Sequence, residues 1–450
     1  MALAHDEIVR LLNDIPANSY KAELSNKPVS LSPEMAAALG QSKRTLVRVL
    51  ATVVDAIANK LFVKSIVVND SNVQTAVDQW LAVNEWDLLE RNLYNYAVRD
   101  GKSYALVSFA NNQPRINALE AFDGKTGVYV VTDEMNPDVQ LFAINTWYAG
   151  GDRFLDAYYP DRIEKYIYDG NEWGKRRDTP DEAWPIDWSD VNNAPLGIPL
   201  IEYSIGESDL ANGAVQVQKD INEALVDLLA VNRMMGFPQR YIKGKNTMLI
   251  TNDLGKPLIS PLTGEPFIRK EVLSPGAIKL LNAGDDFGQL DAATPNTSTL
   301  DMLLEVLALV TTVPSHYFKG DWPSGVALLQ AESRLNSLAE AHQSQLTSPV
   351  IRMIGYMVKL ANTFGRTTYN TAYTIDVTWH SPQVLTYDLQ MQLEESKVKQ
   401  VTALRTAGLL SLQAAVRMLH PDWDETQIAA EIDALNAEQA AGSAAVLSQL

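Results

Sequence analysis

Three short stretches carry residue types that could do chemistry. Gly124-Lys125-Thr126 has the ending of a phosphate-binding loop, in which backbone amides and a lysine cradle phosphate oxygens. Leu119 stands where that loop needs its first glycine, so the backbone cannot wrap a phosphate closely and the stretch reads as a solvated turn between strands. Gly284-Asp285-Asp286 resembles a fragment of a polymerase metal site, but it lies in a turn-rich segment with no companion carboxylate motif in a strand. Asp152 and Asp156, among the aromatic residues of Trp147 to Trp188, are the residue types that an acid and base across a glycosidic bond require. Nothing in the spacing selects that pair, and aromatic residues in an antiparallel sheet more often pack across strands. The histidines His5, His316, His342, His380 and His420 are far apart, and none forms a His-x-x-x-His or glutamate-neighboured pair. No Gly-x-Ser-x-Gly nucleophile turn occurs. The expectation is a non-enzyme with no catalytic residue, no cofactor and no metal.

One loop reads differently. Pro314 to Gly325 joins two strongly apolar helical segments and yet carries Lys319, Asp321 and Trp322, an exposed-looking mixture in the middle of a helical region. A plain helix connector is its bland alternative.

The elements that must position this loop follow from apolar periodicity. From Leu210, the residues Ala214, Val217, Ile221, Ala224, Leu228, Val231 and Met235 alternate spacings of four and three, which gives a long helix with one oily face. Between Pro238 and Pro295 the pattern breaks into short apolar pieces split by Gly255-Lys256-Pro257, Ser260-Pro261, Gly264-Glu265-Pro266, Pro275-Gly276 and Gly284, where only small strands or turns fit. Thr297 opens a second helix, Leu300 to Val313, which Pro314 ends. After the loop a third begins near Val326, with Leu328, Ala331, Leu335, Leu338, His342 and Leu346 on one face, and Ser348-Pro349 restarts a helix through Phe364.

The N-terminal part is helical and then β-rich. Ser32-Pro33-Glu34 looks like a cap followed by a first-turn proline, with Gly40 as the stop. Helices are predicted for Arg44 to Leu61 and Val73 to Asp100. Strands are predicted at Tyr104 to Ala110, Gly127 to Thr132, Val139 to Trp147, Arg153 to Tyr159, Arg162 to Tyr168 and Glu172 to Lys175, the later ones an antiparallel meander. Asp178 to Pro199 reads as a surface loop before the strand Leu200 to Ser204. Toward the C-terminus come a strand at Tyr373 to Trp379 and helices at Tyr387 to Thr406, Leu412 to Leu419 after Ser411, and Glu425 to Leu435 after the Asp424 cap, with Gln427 in capping-box position. Ala437 to Leu450 is rich in Ala and Ser and reads as a frayed helix or a tail. The fold class is α+β, mainly helical.

Composition sets the outer bounds. With 450 residues the chain has length for about three domain-sized units. It contains no cysteine, so disulfide staples and thiolate metal sites are excluded, and no N-terminal export segment is seen, which points to a reducing interior. No stretch reaches the roughly 20 apolar residues of a membrane span. The formal net charge is −18, and the longest basic cluster is Lys175-Arg176-Arg177, so a nucleic acid would be guided rather than gripped.

With these segments placed, the chain resembles the portal proteins, or head-to-tail connectors, of tailed bacteriophages, over roughly Arg44 to Ile432. The resemblance is carried by order and spacing: Ile198-Pro199-Leu200-Ile201-Glu202-Tyr203-Ser204, then Asp220-Ile221-Asn222-Glu223-Ala224-Leu225, then Phe237-Pro238-Gln239-Arg240-Tyr241-Ile242. It continues with Pro275-Gly276-Ala277-Ile278, Pro314-Ser315-His316-Tyr317-Phe318, Ser324-Gly325-Val326-Ala327-Leu328 and Ala407-Gly408-Leu409-Leu410-Ser411. The region Gly150 to Pro199 matches the family poorly, and the C-terminal part is short for it.

The resemblance implies a ring, usually a dodecamer, at one capsid vertex of a virion assembled in the host cytoplasm. Its tunnel would pass double-stranded DNA, without sequence specificity, during packaging and ejection. By position it implies a wing at 1–204 and 326–379, stem helices at 205–236 and 296–313, a clip at 237–295, a tunnel loop at 314–325 and a crown at 380–450. His316, Lys319, Asp321 and Trp322 would be the DNA-facing tunnel loop. Asp209, Asp220, Glu223, Asp227, Asp301 and Glu305 would be the stem candidates facing the channel, each with a plain solvated-face alternative. Implied partners are further copies of the chain, major capsid and scaffolding proteins, the terminase that supplies the packaging energy, and a head-tail connector or adaptor, with no membrane. The alternatives are another ring-forming minor head or connector protein, or a carbohydrate-active enzyme.

Overall fold

The computed structural model describes residues 3–17, 19–24, 29–30, 33, 36, 43–44, 47–136, 139–236, 240–243, 249–250, 252–254, 256–267, 286–289, 297–323, 325–383, 387–420, 423 and 427–435. The cap at Ser32 and Glu34, the stop at Gly40, Pro275-Gly276, Gly284-Asp285, the Asp424 cap and the 437–450 tail lie outside these residues. The architecture mixes helix and sheet, with no closed barrel among the described residues. Among those residues, no helix is long and apolar enough to cross a membrane. Two compact units are present: Met1–Trp322 with Ala331–Pro382, and Pro323–Gln330 with Gln383–Leu450.

In the larger unit, α1 (His5–Asp14) precedes two short paired strands, β1 (Val29–Ser30) and β2 (Lys43–Arg44). Helix α2 (Val49–Ala58) buries Leu50, Val53 and Ile57 completely, and Leu61 just after it as well. Each such side chain stabilises the fold by about 1.5–3 kcal/mol relative to exposure. The next helical stretch is two helices, not one: α3 (Ser71–Val83) and α4 (Trp86–Asp100), broken where Glu85 takes the left-handed φ of 51°. Asn84 explains the break. Its side chain donates to Trp80 O and Pro114 O and accepts from the Ile116 amide, so it competes with continued helix and ties the corner to a strand.

That strand is β5 (Gln113–Glu120), which the sequence reading misses, as it does β3 (Val63–Val68). Strand β4 (Lys102–Ala110) pairs with β5 through an Asn111-Asn112 turn in which both residues have positive φ, and β12 (Leu200–Ser204) pairs on the other edge of β4. Strands β6 (Gly127–Thr132), β7 (Gln140–Ala149), β8 (Asp152–Tyr158), β9 (Arg162–Tyr168) and β10 (Trp173–Lys175) form the expected antiparallel meander, with the short β11 (Ile186–Asp187) also on β9. Helix α1 packs Ile8 and Leu12, with Ile15 just after it, onto this sheet against Ile144, Leu155, Tyr166 and Trp173.

After the meander come α5 (Ala214–Gly236), the paired β13 (Arg240–Lys243) and β14 (Asp286–Gln289), α6 (Ser298–Thr311) and a four-residue helical turn, α7 (His316–Lys319). Helix α8 (Gly325–Phe364) is continuous, which corrects the expected restart at Ser348-Pro349. Pro349 costs about 3 kcal/mol inside a helix. The flanking Leu346, Val350, Met353, Ile354 and Met357 are all fully buried and hold the helix through it. Strand β15 (Ile375–Trp379) then pairs with β3, a contact across some three hundred residues. The central core gathers Tyr94, Tyr203 and Trp379, with ring centroids 6.4 and 5.6 Å from Tyr94.

The smaller unit holds α9 (Tyr387–Thr406), α10 (Leu412–Leu419), whose Ser411 cap accepts from the Ala414 amide, and a helix over 427–435. Val401, Ala415, Val416 and Ile428 are its buried apolar residues.

Candidate functional site

The site is built on α5 and α6, which pack side by side. On α5 the buried residues Ala214, Val217, Gln218 and Ile221 take one face. Asp220, Glu223 and Asp227 recur at helical spacing on another; Glu223 and Asp227 are exposed, and Asp220 is half-buried, accepting from Gln216 Nε2 at 2.8 Å. On α6, Leu307 is fully buried, while Asp301 and Glu305 form an exposed pair one turn apart. Met302, Val306 and Leu309 lie beside them, and Leu309 is 65% exposed. Two packed helices therefore show carboxylates outward, and the second adds an uncovered apolar stripe.

The loop is anchored to this surface by charge. Lys319 places Nζ 3.0 Å from Glu305 and 3.8 Å from Asp301, so the loop's cation lies against the carboxylates of α6. Asp321 is exposed and Trp322 is 57% exposed. His316, expected to face outward with them, is instead buried, its ring tilted against Trp322 and Tyr317 with centroids 4.7 and 4.8 Å away.

Beneath the loop lies a buried charge junction that the sequence reading misses. Glu332 on α8 accepts from Lys60 Nζ at 3.0 Å and from the Tyr317 hydroxyl at 2.9 Å. Lys60 donates also to Pro382 O at 2.9 Å, and His316 Nε2 stands 3.7 Å from Glu332. Burial and the Glu332 contact push the Tyr317 phenol well above its ordinary range, so it is a steady donor. A signal for Glu332 was present: it falls inside the apolar stripe of Leu328, Leu335 and Leu346, where a charge needs a partner. The chain turns into the loop through Thr312, whose φ of 63° is a strained conformation for a β-branched residue.

Asp209 does not stand with the other carboxylates. It precedes α5 in a turn, nine-tenths buried, and meets His342 Nε2 at 3.1 Å. A short polar side chain in a turn is free to pair with the helix it crosses, and this one fixes α8 rather than facing outward. Asp152 and Asp156 also fail to converge. Four residues apart on one strand they are separated by about 13 Å at the backbone, and Asp156 is buried against Arg176 at 3.0 Å. Gly124-Lys125-Thr126 is a turn in which Asp123 Oδ1 accepts from the Lys125 and Thr126 amides, which takes the amides a phosphate would need.

No protein-family profile matches the chain, and no curated protein matches it. Among solved structures it is similar to a chain in the neck of a native gene transfer agent particle computed with C12 symmetry, at 12% identity and TM-score 0.45, covering 89% of this chain and 96% of that one. It is similar also to a chain in the virion of a native gene transfer agent particle and to one in the neck of an empty particle computed with C6 symmetry, each at 12% identity and TM-score 0.46 with the same coverages.

Proposed function

We propose that the chain is the portal of a tailed, phage-like particle: a non-enzymatic ring, a dodecamer at one capsid vertex, through which double-stranded DNA is packaged and ejected. The observation that carries this reading is the pairing of α5 and α6 with carboxylates outward and an apolar stripe uncovered. Met302, Val306 and Leu309 call for a neighbour, and in a heterologous ring each copy covers the stripe of the next. Asp220, Glu223, Asp227, Asp301 and Glu305 would then line the axis. Repeated around a ring, these charges repel phosphate, so no contact becomes a trap and the duplex slides.

In this reading α5 and α6 are the stem, the segment between them is the clip where terminase and later the tail adaptor dock, and 314–325 is the tunnel loop. Capsid and scaffolding proteins would meet the wing. Lys319, held between Asp301 and Glu305, can exchange those carboxylates for a passing phosphate at little cost, since exposed pairs are worth only about 0–1 kcal/mol.

Duplex binding tests the reading. The purified wild-type ring should hold linear duplex weakly at ~0.1 M salt, where counterion release dominates affinity. Reversing the α5 charges with Asp220→Lys, Glu223→Lys and Asp227→Lys should create tight, steeply salt-dependent binding. Tight wild-type binding, together with normal packaging by a Lys319→Glu variant, would sink the proposal.

A further inference from the structure

A groove of about 690 Å³ lies between α1 and two turns of the meander, far in sequence from α5 and α6. This is the size of a small-molecule site. One transverse row of the sheet forms part of its wall: Tyr148 on β7 pairs with Arg153 on β8, Arg153 with Tyr168 on β9, and Tyr168 with Trp173 on β10. The Arg153 guanidinium lies 5.7 Å from the ring centres of both Tyr148 and Trp173, and the Tyr168 and Trp173 rings are 5.4 Å apart. The result is a row of three aromatic rings and one guanidinium across four strands, with the Tyr168 and Trp173 planes tilted 48° to each other.

Polar groups surround this aromatic row. His5 Nδ1 accepts from the Trp173 amide at 3.0 Å, so the neutral ring carries its proton on Nε2 as a donor. Arg153 spends Nε on Thr146 Oγ1 and Nη2 on Lys125 O, and among the described residues no carboxylate pairs with it. Asp169 accepts from the Asn171 and Glu172 amides, which lowers its pKa and keeps it an acceptor. Asp152 also lines the groove, and its carboxylate has no side-chain bond among the described residues.

We propose that this groove is a non-catalytic subsite for a short, neutral oligosaccharide. An anion would meet Asp152 and Asp169, and a cation would meet Arg153. A neutral polyhydroxylated ligand can satisfy donors and acceptors of both signs while laying the C–H faces of its rings on Tyr148 and Tyr168. The chemistry stops at binding. Asp156, the other carboxylate of β8, lies buried against Arg176 instead of joining Asp152.

Tryptophan fluorescence and ligand-observed NMR on the full chain test this with maltotriose, cellotriose and the trimer of N-acetylglucosamine, each raised to ~10 mM. At least one should bind with Kd near ~1 mM, and Asp152→Asn and Tyr148→Ala should each weaken it by about tenfold or more. Tyr148 is 54% exposed and Asp152 is at the surface, so both variants should keep the wild-type circular dichroism. If none of the three sugars binds, or if binding survives both substitutions, the proposal is overturned. It is overturned equally if the capped peptide acetyl-Gly-Lys-Gly-amide binds in the sugars' place, which would make the groove a peptide dock.

Discussion

The junction at Lys60, Glu332 and Tyr317 and the surface at Asp301, Glu305 and Lys319 use the same chemistry to opposite ends. Lys60 and Glu332 are buried, with three hydrogen bonds or ion contacts of 3.0 Å or less fixing one geometry. Lys319 and its two carboxylates are a turn of chain away, with Asp301 and Glu305 side chains 61% and 66% exposed. Removing a partner from a buried pair leaves an uncompensated charge and costs about 3–5 kcal/mol, whereas an exposed pair contributes about 0–1 kcal/mol. The inner set therefore fixes where the loop begins, and the outer set stays available to whatever passes it.

The largest expected effect belongs to the buried junction. Glu332→Ala should destabilise the chain by about 3–5 kcal/mol in urea unfolding, because it strands Lys60 in the interior. A loss below about 1 kcal/mol would show that the junction is wet and that the two regions do not differ.

Glu90 is a buried carboxyl with no ion pair among the described residues. Burial pushes Glu90 up to about 8, partly opposed by the hydrogen bond from the Val63 amide. Its folded pKa exceeds its unfolded one, so its contribution to stability is full below about 4.5 and is lost as pH rises to about 8. Unfolding free energy should fall by up to ~1.4 kcal/mol per pH unit across that window from this group. Glu90→Gln should flatten the profile and raise the melting temperature at pH 8. An unchanged profile would mean that Glu90 does not titrate across this window.

Between the two regions the chain passes Thr312, and relieving its left-handed conformation should help. Thr312→Gly should raise stability by about 1 kcal/mol in thermal melts; a loss instead would mean that the threonine's contacts outweigh the strain. The smallest effect belongs to the outer set: Lys319→Ala should change stability by less than about 1 kcal/mol. A larger loss would place Lys319 with the structural charges.

The parts legible in the sequence were those held by local pattern. The strands Gly127–Thr132, Arg162–Tyr168 and Leu200–Ser204 and the helices Tyr387–Thr406 and Leu412–Leu419 appear with their expected bounds, since alternation, turns and the Ser411 cap specify them nearby. Strand β3 was missed because its partner β15 lies some three hundred residues away, and β5 because Pro114 and its polar residues suit only an edge. At the site, the 220, 223 and 227 spacing was readable. The burial of His316 and the His342 partner of Asp209 were not, because both depend on α8 crossing a segment distant in sequence.

Native mass spectrometry with electron microscopy of the purified chain tests whether identical neighbours seal the Met302, Val306 and Leu309 stripe and leave an open axis. A large ring with a central hole wide enough for a duplex is the expected result, and Leu309→Glu should disperse it. A monomer at every concentration, unaltered by Leu309→Glu, would contradict it.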